Sequence, residues 1–151
     1  MQENLSLLVI TTHSYIITKP MTFDSSWHKN YIFIRAGQMA SGEDLLDTLE
    51  TLSKDPRFDD SLDQVWDFTD TKEFRLSTND LMRFNKISED DCFVKETTCL
   101  ALVAHHPSVY FRLQAIVSYT RAHGCNSKVF SHKEDAHAWI DREYLKNLSL
   151  N

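Results

Sequence analysis

The sequence predicts an α/β fold with a mixed, mostly parallel sheet of about five strands flanked by helices. The uncharged apolar run Cys99–Ala104 is typical of a strand buried on both faces. A helical apolar pattern begins at Pro107 and ends before Gly124, a residue that suits a helix C-terminus. Strand-like and helix-like segments alternate along most of the chain, and we expect the strand–helix unit from Cys99 onward to lie at the centre of the sheet.

The first part of the chain is predicted to contain two strands and one helix. Residues 13–19 have strand character and precede Pro20, so we expect an edge strand there. Residues 21–29 are predicted to form a loop, and residues 30–39 a second strand. A helix follows, because Ser41 begins a capping-box pattern and apolar residues then share one helical face, namely Leu45, Leu46, Leu49 and Leu52.

The second part of the chain alternates between strands and helices. Residues 64–68 are predicted to form a strand, residues 69–76 a loop, and the acidic residues 88–97 another loop. Between these loops a helix begins after Ser77, with Leu81, Phe84 and Ile87 on its apolar face. Residues 128–130 are predicted to form the last strand, and the final helix has an apolar face formed by Ala136, Trp139, Ile140 and Tyr144.

The element order is therefore β-β-α-β-α-β-α-β-α. Alternation after the second strand implies parallel strands joined by right-handed crossovers, whereas the first two strands are expected to be antiparallel. We assign residues 13–151 to a single domain and residues 1–12 to an N-terminal extension. The apolar residues 5–10 predict an extra strand there, which either pairs in a homodimer or covers the protein's own core.

Composition and charge exclude several classes of function. A net charge of −6 argues against sequence-independent binding to nucleic acid. The sequence has no apolar run of the roughly 20 residues that a membrane-spanning helix requires. Three cysteines without Cys-x-x-Cys spacing predict neither a disulfide framework nor a zinc site, and reduced thiols fit a cytoplasmic location. We therefore expect no cofactor, no metal and no membrane insertion.

Several short motifs resemble those of bacterial SpoIIAA-like proteins, relatives of the STAS anti-sigma-factor antagonists. The resemblance covers residues 14–139 and rests on the segments Asp55-Pro-Arg-Phe58, Val65-Trp-Asp67, Cys99–Ala104, Tyr110-Phe-Arg112, Val129–Ala136 and Ala138-Trp-Ile140. It implies a superhelix of successive β–α turns. It also implies a bacterial regulatory protein that acts by protein interaction or by sensing a small ligand.

The phosphorylation site of true STAS antagonists is an Asp-Ser-Ser or similar sequence between the third strand and the next helix. Here Ser77 and Thr78 lie near that place, but Leu76 precedes them instead of aspartate. The segment Asp24-Ser-Ser26 has the matching letters, but it comes before the second strand. The resemblance therefore does not extend to regulation by a kinase.

Polar residues are predicted to meet where the parallel strands end. Ligands of open α/β sheets bind outside the carboxyl ends of the strands, where the strand order reverses. We expect a protein partner or a small anionic ligand to contact this rim, because helix N-termini and basic side chains there favour an anion. The candidate residues are Asp67, Asp70, Thr71, Lys72, Ser77, Thr78, His105, His106 and Arg112.

Most candidates also have a plain structural explanation; for His105 and His106 it is that one caps the next helix and the other lies exposed. An aspartate at a strand end, such as Asp67, often binds backbone amides of the next loop rather than acting as a general base. Helix capping accounts for one of Ser77 and Thr78, and an ordinary ion pair accounts for Arg112. The sequence contains no phosphate-binding glycine loop and no nucleophile elbow. We therefore expect a non-enzymatic domain without catalytic residues; the alternative is a small-molecule enzyme that uses a His/Asp site at the rim.

Overall fold

The computed structural model describes residues 23–58, 62–90 and 98–149. Within these ranges the elements follow one another as β1 (Phe23–Trp27), β2 (Tyr31–Ala36), β3 (Met39–Ser41), α1 (Gly42–Ser53), β4 (Asp63–Phe68), β5 (Glu73–Arg75), α2 (Thr78–Asp90), β6 (Cys99–Ala104), α3 (Pro107–Ala122), β7 (Asn126–Phe130) and α4 (Lys133–Ser149).

A five-stranded sheet with the order β1-β2-β4-β6-β7 forms the centre of the fold. Strand β1 is antiparallel to β2, and every other neighbouring pair is parallel. The predicted fold class, a mixed and mostly parallel sheet flanked by helices, is thus confirmed. The middle strand is β4, with β6 beside it, so the predicted centre of the sheet is displaced by one strand.

Helices cover both faces of the sheet. Because the parallel strands follow one another in chain order, right-handed crossovers place α1, α2 and α3 on the same face. Their buried side chains, such as Leu46, Phe84 and Leu113, form one core with the inward residues of the strands. Helix α4 closes the other face with Ala136, Trp139 and Ile140, as its apolar pattern predicts.

The helix ends follow the signals predicted from the sequence. The Ser41 hydroxyl accepts the Asp44 N–H at 3.1 Å and caps α1. The Ser77 hydroxyl accepts the Asp80 N–H at 3.0 Å and caps α2 in the same way. Helix α3 ends before Gly124, whose φ of 86° is a backbone conformation that side chains larger than hydrogen rarely adopt.

Strand β1 occupies part of the segment that we predicted to be a loop. Its three middle residues, Asp24, Ser25 and Ser26, are all exposed, so the alternation of apolar and polar residues that marks a strand is absent. The strand is held by pairing with β2 on one side and by the buried ring of Phe23. Its polar character suits an edge position, where one face and one side of a strand meet solvent.

The structure also contains a second, two-stranded sheet that the sequence does not predict. Strands β3 and β5 are three residues each and pair in parallel, with Ala40 opposite Phe74. Strand β5 lies inside the predicted loop 69–76. Runs this short carry too few residues for a period to be visible, so only the folded chain shows the pairing.

Some predicted elements lie outside the described residues. These are the extension 1–12, the strand 13–19 and most of the acidic loop, whose first residues instead belong to α2, which continues to Asp90. Cys99 and Cys125 are buried free thiols, and burial raises the pKa of the Cys99 thiol to about 12.

A buried carboxylate joins β4 to β6 at the end of the sheet where these strands begin. Asp63 is only 4% exposed, and its Oδ1 accepts the Cys99 N–H at 2.8 Å. Burial raises the pKa of Asp63 to about 6; the negative charge of Glu143 adds to the increase, and the hydrogen bond from Cys99 opposes it. The folded protein therefore holds a proton on Asp63 more tightly than the unfolded chain does.

We predict that Asp63→Asn changes how the free energy of unfolding depends on pH. The protonated Asp63 carboxyl contributes its full stabilisation at pH values below 3.8, the pKa of this group in the unfolded chain. This contribution is lost as the pH rises through about 6, its pKa in the folded protein. Relative to the variant, the wild type should lose on the order of 2 kcal/mol between pH 4 and pH 6.5. Urea unfolding across this range measures the difference. Parallel pH profiles of the two proteins would contradict the assigned pKa.

Candidate functional site

A cleft with a volume of about 640 Å³ lies at the carboxyl ends of β2, β4 and β6. We call it the strand-end cleft. Polar side chains of five chemical types line it: carboxylates, cationic groups, hydroxyls, imidazoles and an amide. They belong to Asp24, Asp70, Arg35, Lys72, Thr69, Thr71, His105, His106 and Gln38. Of the candidate residues, the structure therefore brings Asp70, Thr71, Lys72, His105 and His106 together, from two segments of the chain.

Hydrogen bonds tie together the loops after β2 and β4, which form one wall of the cleft. The buried Thr71 hydroxyl donates to the Gly37 carbonyl at 2.7 Å. The Lys72 N–H donates to the Gln38 carbonyl at 2.8 Å, and pairing of β3 with β5 continues this contact. Thr71, a predicted ligand contact, thus holds the wall of the cleft through its side chain.

An ion pair lies within the cleft between two neighbouring strand ends. Arg35 Nη2 and Asp70 Oδ2 are 2.6 Å apart, with both side chains about half exposed. The hydrogen bond and the charge of Asp70 raise the pKa of Arg35 above its usual range, and the charges of Asp67 and Asp24 act in the same direction. Carboxylates therefore already compensate the Arg35 charge.

The two histidines that follow β6 have different surroundings. His106 caps α3: its Nδ1 accepts the Ser108 N–H at 3.3 Å and lies 2.9 Å from the Ser108 hydroxyl. The ring of His105 contacts His132, which follows β7, edge to face at a centroid distance of 5.9 Å. His106 is thus held by its own helix, while His105 is exposed between the cleft and the start of α4.

Asp67 lies in β4 just before the cleft and is only 1% exposed. Its Oδ1 accepts the Thr69 N–H at 2.9 Å. Asp67 therefore binds a backbone amide of the next loop, which is the structural alternative to a general base that the sequence suggests. Its Oδ2 is buried and receives no hydrogen bond from the described residues. Asp67 therefore supports the loop that carries Thr69 and Asp70 and adds negative charge behind Arg35.

Three further candidate residues, like Asp67, do not line the cleft. Ser77 caps α2. The start of α2 packs closely on α1: if Gly42 carried a Cβ atom, that atom would lie only 2.7 Å from Asp80 Oδ2. Thr78 is the first residue of that helix and is exposed. Arg112 is also exposed, and its Nη1 donates to the Ser108 carbonyl at 3.3 Å within α3.

Four polar side chains of the cleft are not among the predicted residues: Asp24, Arg35, Gln38 and Thr69. Arg35 comes directly after residues 31–34, the apolar part of a predicted strand. The rule that polar residues following parallel strands meet at one rim selects Asp70 and His105, and it identifies Arg35 as well. Asp24 belongs to the strand that was predicted as a loop. The expected reversal of strand order is absent among the described strands, because the parallel strands run in chain order across the sheet.

An apolar groove adjoins the strand-end cleft and shares His105 and Pro107 with it. Its volume is about 540 Å³, and its other lining residues are Ala104, Tyr110, Phe111, Gln114 and Ser131. Phe111 is 76% exposed on the surface of α3. The two sites together form a continuous depression from Asp24 on β1 to Gln114 on α3.

Within the described ranges, no three His, Cys, Asp or Glu side chains converge as metal ligands. None of the helices described combines the length with the apolar character needed to cross a bilayer.

Comparison with protein-family models and with curated proteins found no match. Among solved structures, the chain is similar to an uncharacterized protein from Shewanella loihica, of the DUF3478 family, with a SpoIIAA-like fold. The two sequences are 15% identical, and the alignment covers 78% of this chain and 91% of that one, with a TM-score of 0.48.

We predict that Ser77→Ala lowers stability without affecting the strand-end cleft. Loss of the cap leaves the Asp80 N–H without its acceptor, which costs about 1 kcal/mol for a typical helix N-cap. Urea unfolding measures the loss, with Ser118→Ala as the control, because the Ser118 hydroxyl is exposed and only donates to the Gln114 carbonyl within α3. Equal stability of the two variants would argue against the capping role of Ser77.

Proposed function

We propose that this protein is a non-enzymatic binding domain with a regulatory or sensing role, and that the strand-end cleft holds an anionic group. The group is a carboxylate or phosphate, carried by a small ligand or by a protein partner. The observation that supports this most is the meeting of Lys72, His105 and the start of α3 at one cleft. A helix N-terminus, an ammonium group and an imidazole all interact favourably with negative charge.

Lys72 is the cation that matters most for this proposal. Arg35 is already paired with Asp70, so an anion would have to compete with a bonded carboxylate for its guanidinium group. Among the described residues, no carboxylate forms an ion pair with Lys72, which is exposed at the cleft. An incoming anion can therefore contact the Lys72 ammonium without displacing an existing partner.

The geometry gives less support to catalysis. The thiols of Cys99 and Cys125 are buried, and burial raises the pKa of Cys125 to about 11, so neither thiol is poised as a nucleophile. The Thr71 hydroxyl donates to Gly37 and is itself buried. The two thiols and the Thr71 hydroxyl are therefore buried inside the protein and are not exposed to a substrate in the cleft.

One contact favours the enzymatic alternative. The Ser108 hydroxyl lies 2.9 Å from His106 Nδ1, which is within reach of a nucleophile–base pair. The same nitrogen accepts the Ser108 backbone N–H, so helix capping explains the contact without catalysis. Covalent labelling of Ser108 by a fluorophosphonate probe would favour an enzyme, and we expect no labelling.

We predict that inorganic phosphate, used as a probe, binds at the strand-end cleft. In ¹⁵N-labelled full-length protein, the largest amide shifts on titration should fall in residues 69–72 and 105–108. Lys72→Ala should weaken phosphate binding by roughly three- to tenfold, because one solvent-exposed hydrogen bond contributes about 1 kcal/mol.

The matched control for this titration is Lys54→Ala. Lys54 is exposed at the end of α1, and its nitrogen lies 3.9 Å from Glu50, away from the cleft-lining residues. The control should bind phosphate like the wild type. Equal weakening in both variants, or shifts concentrated outside the cleft, would contradict the proposed site.

A further inference from the structure

The apolar groove beside the strand-end cleft has an exposed aromatic side chain and no covering element among the described residues. Phe111, at 76% exposure, projects from α3 next to a depression lined by Ala104, Pro107 and Tyr110. A second apolar segment that bound here would remove the Phe111 ring and the apolar lining of the groove from water, which is favourable. The question is which segment fits it.

The position of Phe23 indicates an occupant from the same chain. Because β1 is antiparallel to β2, it begins at the edge of the sheet where β2 ends, and Asp24 already lines the cleft. The chain preceding Phe23 therefore approaches the sheet at the same strand ends as the groove, although β1 and β7 lie on opposite sides of the described sheet. Strand β6, which ends at the groove, lies three strand spacings from β1, or about 15 Å.

Residues 1–22 lie outside the described part of the chain, and their sequence contains a suitable apolar run. Residues 5–10 read Leu-Ser-Leu-Leu-Val-Ile and carry no charge. Residues 11–22 then connect this run to Phe23, and extended they reach roughly 40 Å, well beyond the distance required. A tether of this length also gives the run an effective concentration near the groove of about millimolar, higher than a second copy of the chain has at ordinary protein concentrations.

We propose that residues 5–10 bind in the apolar groove of the same molecule and cover Phe111. This contact does not depend on the anion-binding proposal, because the apolar lining around Phe111 on α3 is separate from Lys72 and the loop after β4, although both sites include His105. It selects between the two solutions left open by the sequence: the apolar extension covers its own domain rather than pairing in a homodimer.

The test is site-specific photo-crosslinking in the full-length protein. Phe111 is replaced by p-benzoyl-phenylalanine, which retains an aromatic ring at an exposed position. A mixture of light and heavy isotope-labelled protein then separates crosslinks within one chain from crosslinks between copies. We expect crosslinked peptides that join position 111 to residues 5–10, light to light and heavy to heavy.

Two controls complete the design. The same probe at Leu145, which is 63% exposed on α4, should give no crosslink to residues 5–10. Leu8→Asp, which places a charge in the apolar run, should reduce the crosslink from position 111 at least fivefold while circular dichroism shows an unchanged fold. Mixed light–heavy crosslinks would assign the groove to a second copy, and no crosslink to residues 5–10 would also overturn the proposal.

Discussion

Burial of both faces of β4 and β6 is the constraint on which the rest of the structure depends. Every residue of these two strands is buried. A strand buried on both sides needs a layer of helices on each face, which α1–α3 and α4 provide. Polar side chains are consequently concentrated where the strands begin and end. Asp63 lies at one end, and the cleft residues that follow β4 and β6 lie at the other.

The strand-end cleft takes its shape from hydrogen bonds between neighbouring loops. Thr71 bonds to Gly37, and Lys72 bonds to Gln38, so the loops after β2 and β4 form one wall. His106 holds the start of α3 on the opposite side by capping it. Several candidate residues thus position the site, whereas Lys72 and His105 are exposed and line it. A binding role requires only such a shaped and charged surface, while catalysis would also require an activated nucleophile or base.

The sequence predicts those parts of the fold that repeat with a period or carry a cap. The leucines of α1, the Ser41 and Ser77 caps, and the buried run of β6 all have such signals, and all are confirmed. Strand β1 has no apolar alternation, and the three-residue strands β3 and β5 are too short to show any. The sequence places Ser77 at the cleft because α2 is the helix that follows β4. The β3–β5 pair lies between them along the chain, and α2 starts against α1.

The central claim is that the strand-end cleft binds a ligand or partner through an anionic group. Native mass spectrometry of the full-length protein, purified gently from the cells that produce it, tests this most directly. The account predicts a bound molecule carrying a carboxylate or phosphate, whose occupancy falls at least tenfold in the Lys72→Ala, His105→Ala double variant while the fold is retained. A bound molecule whose occupancy is unchanged in that variant would contradict the account.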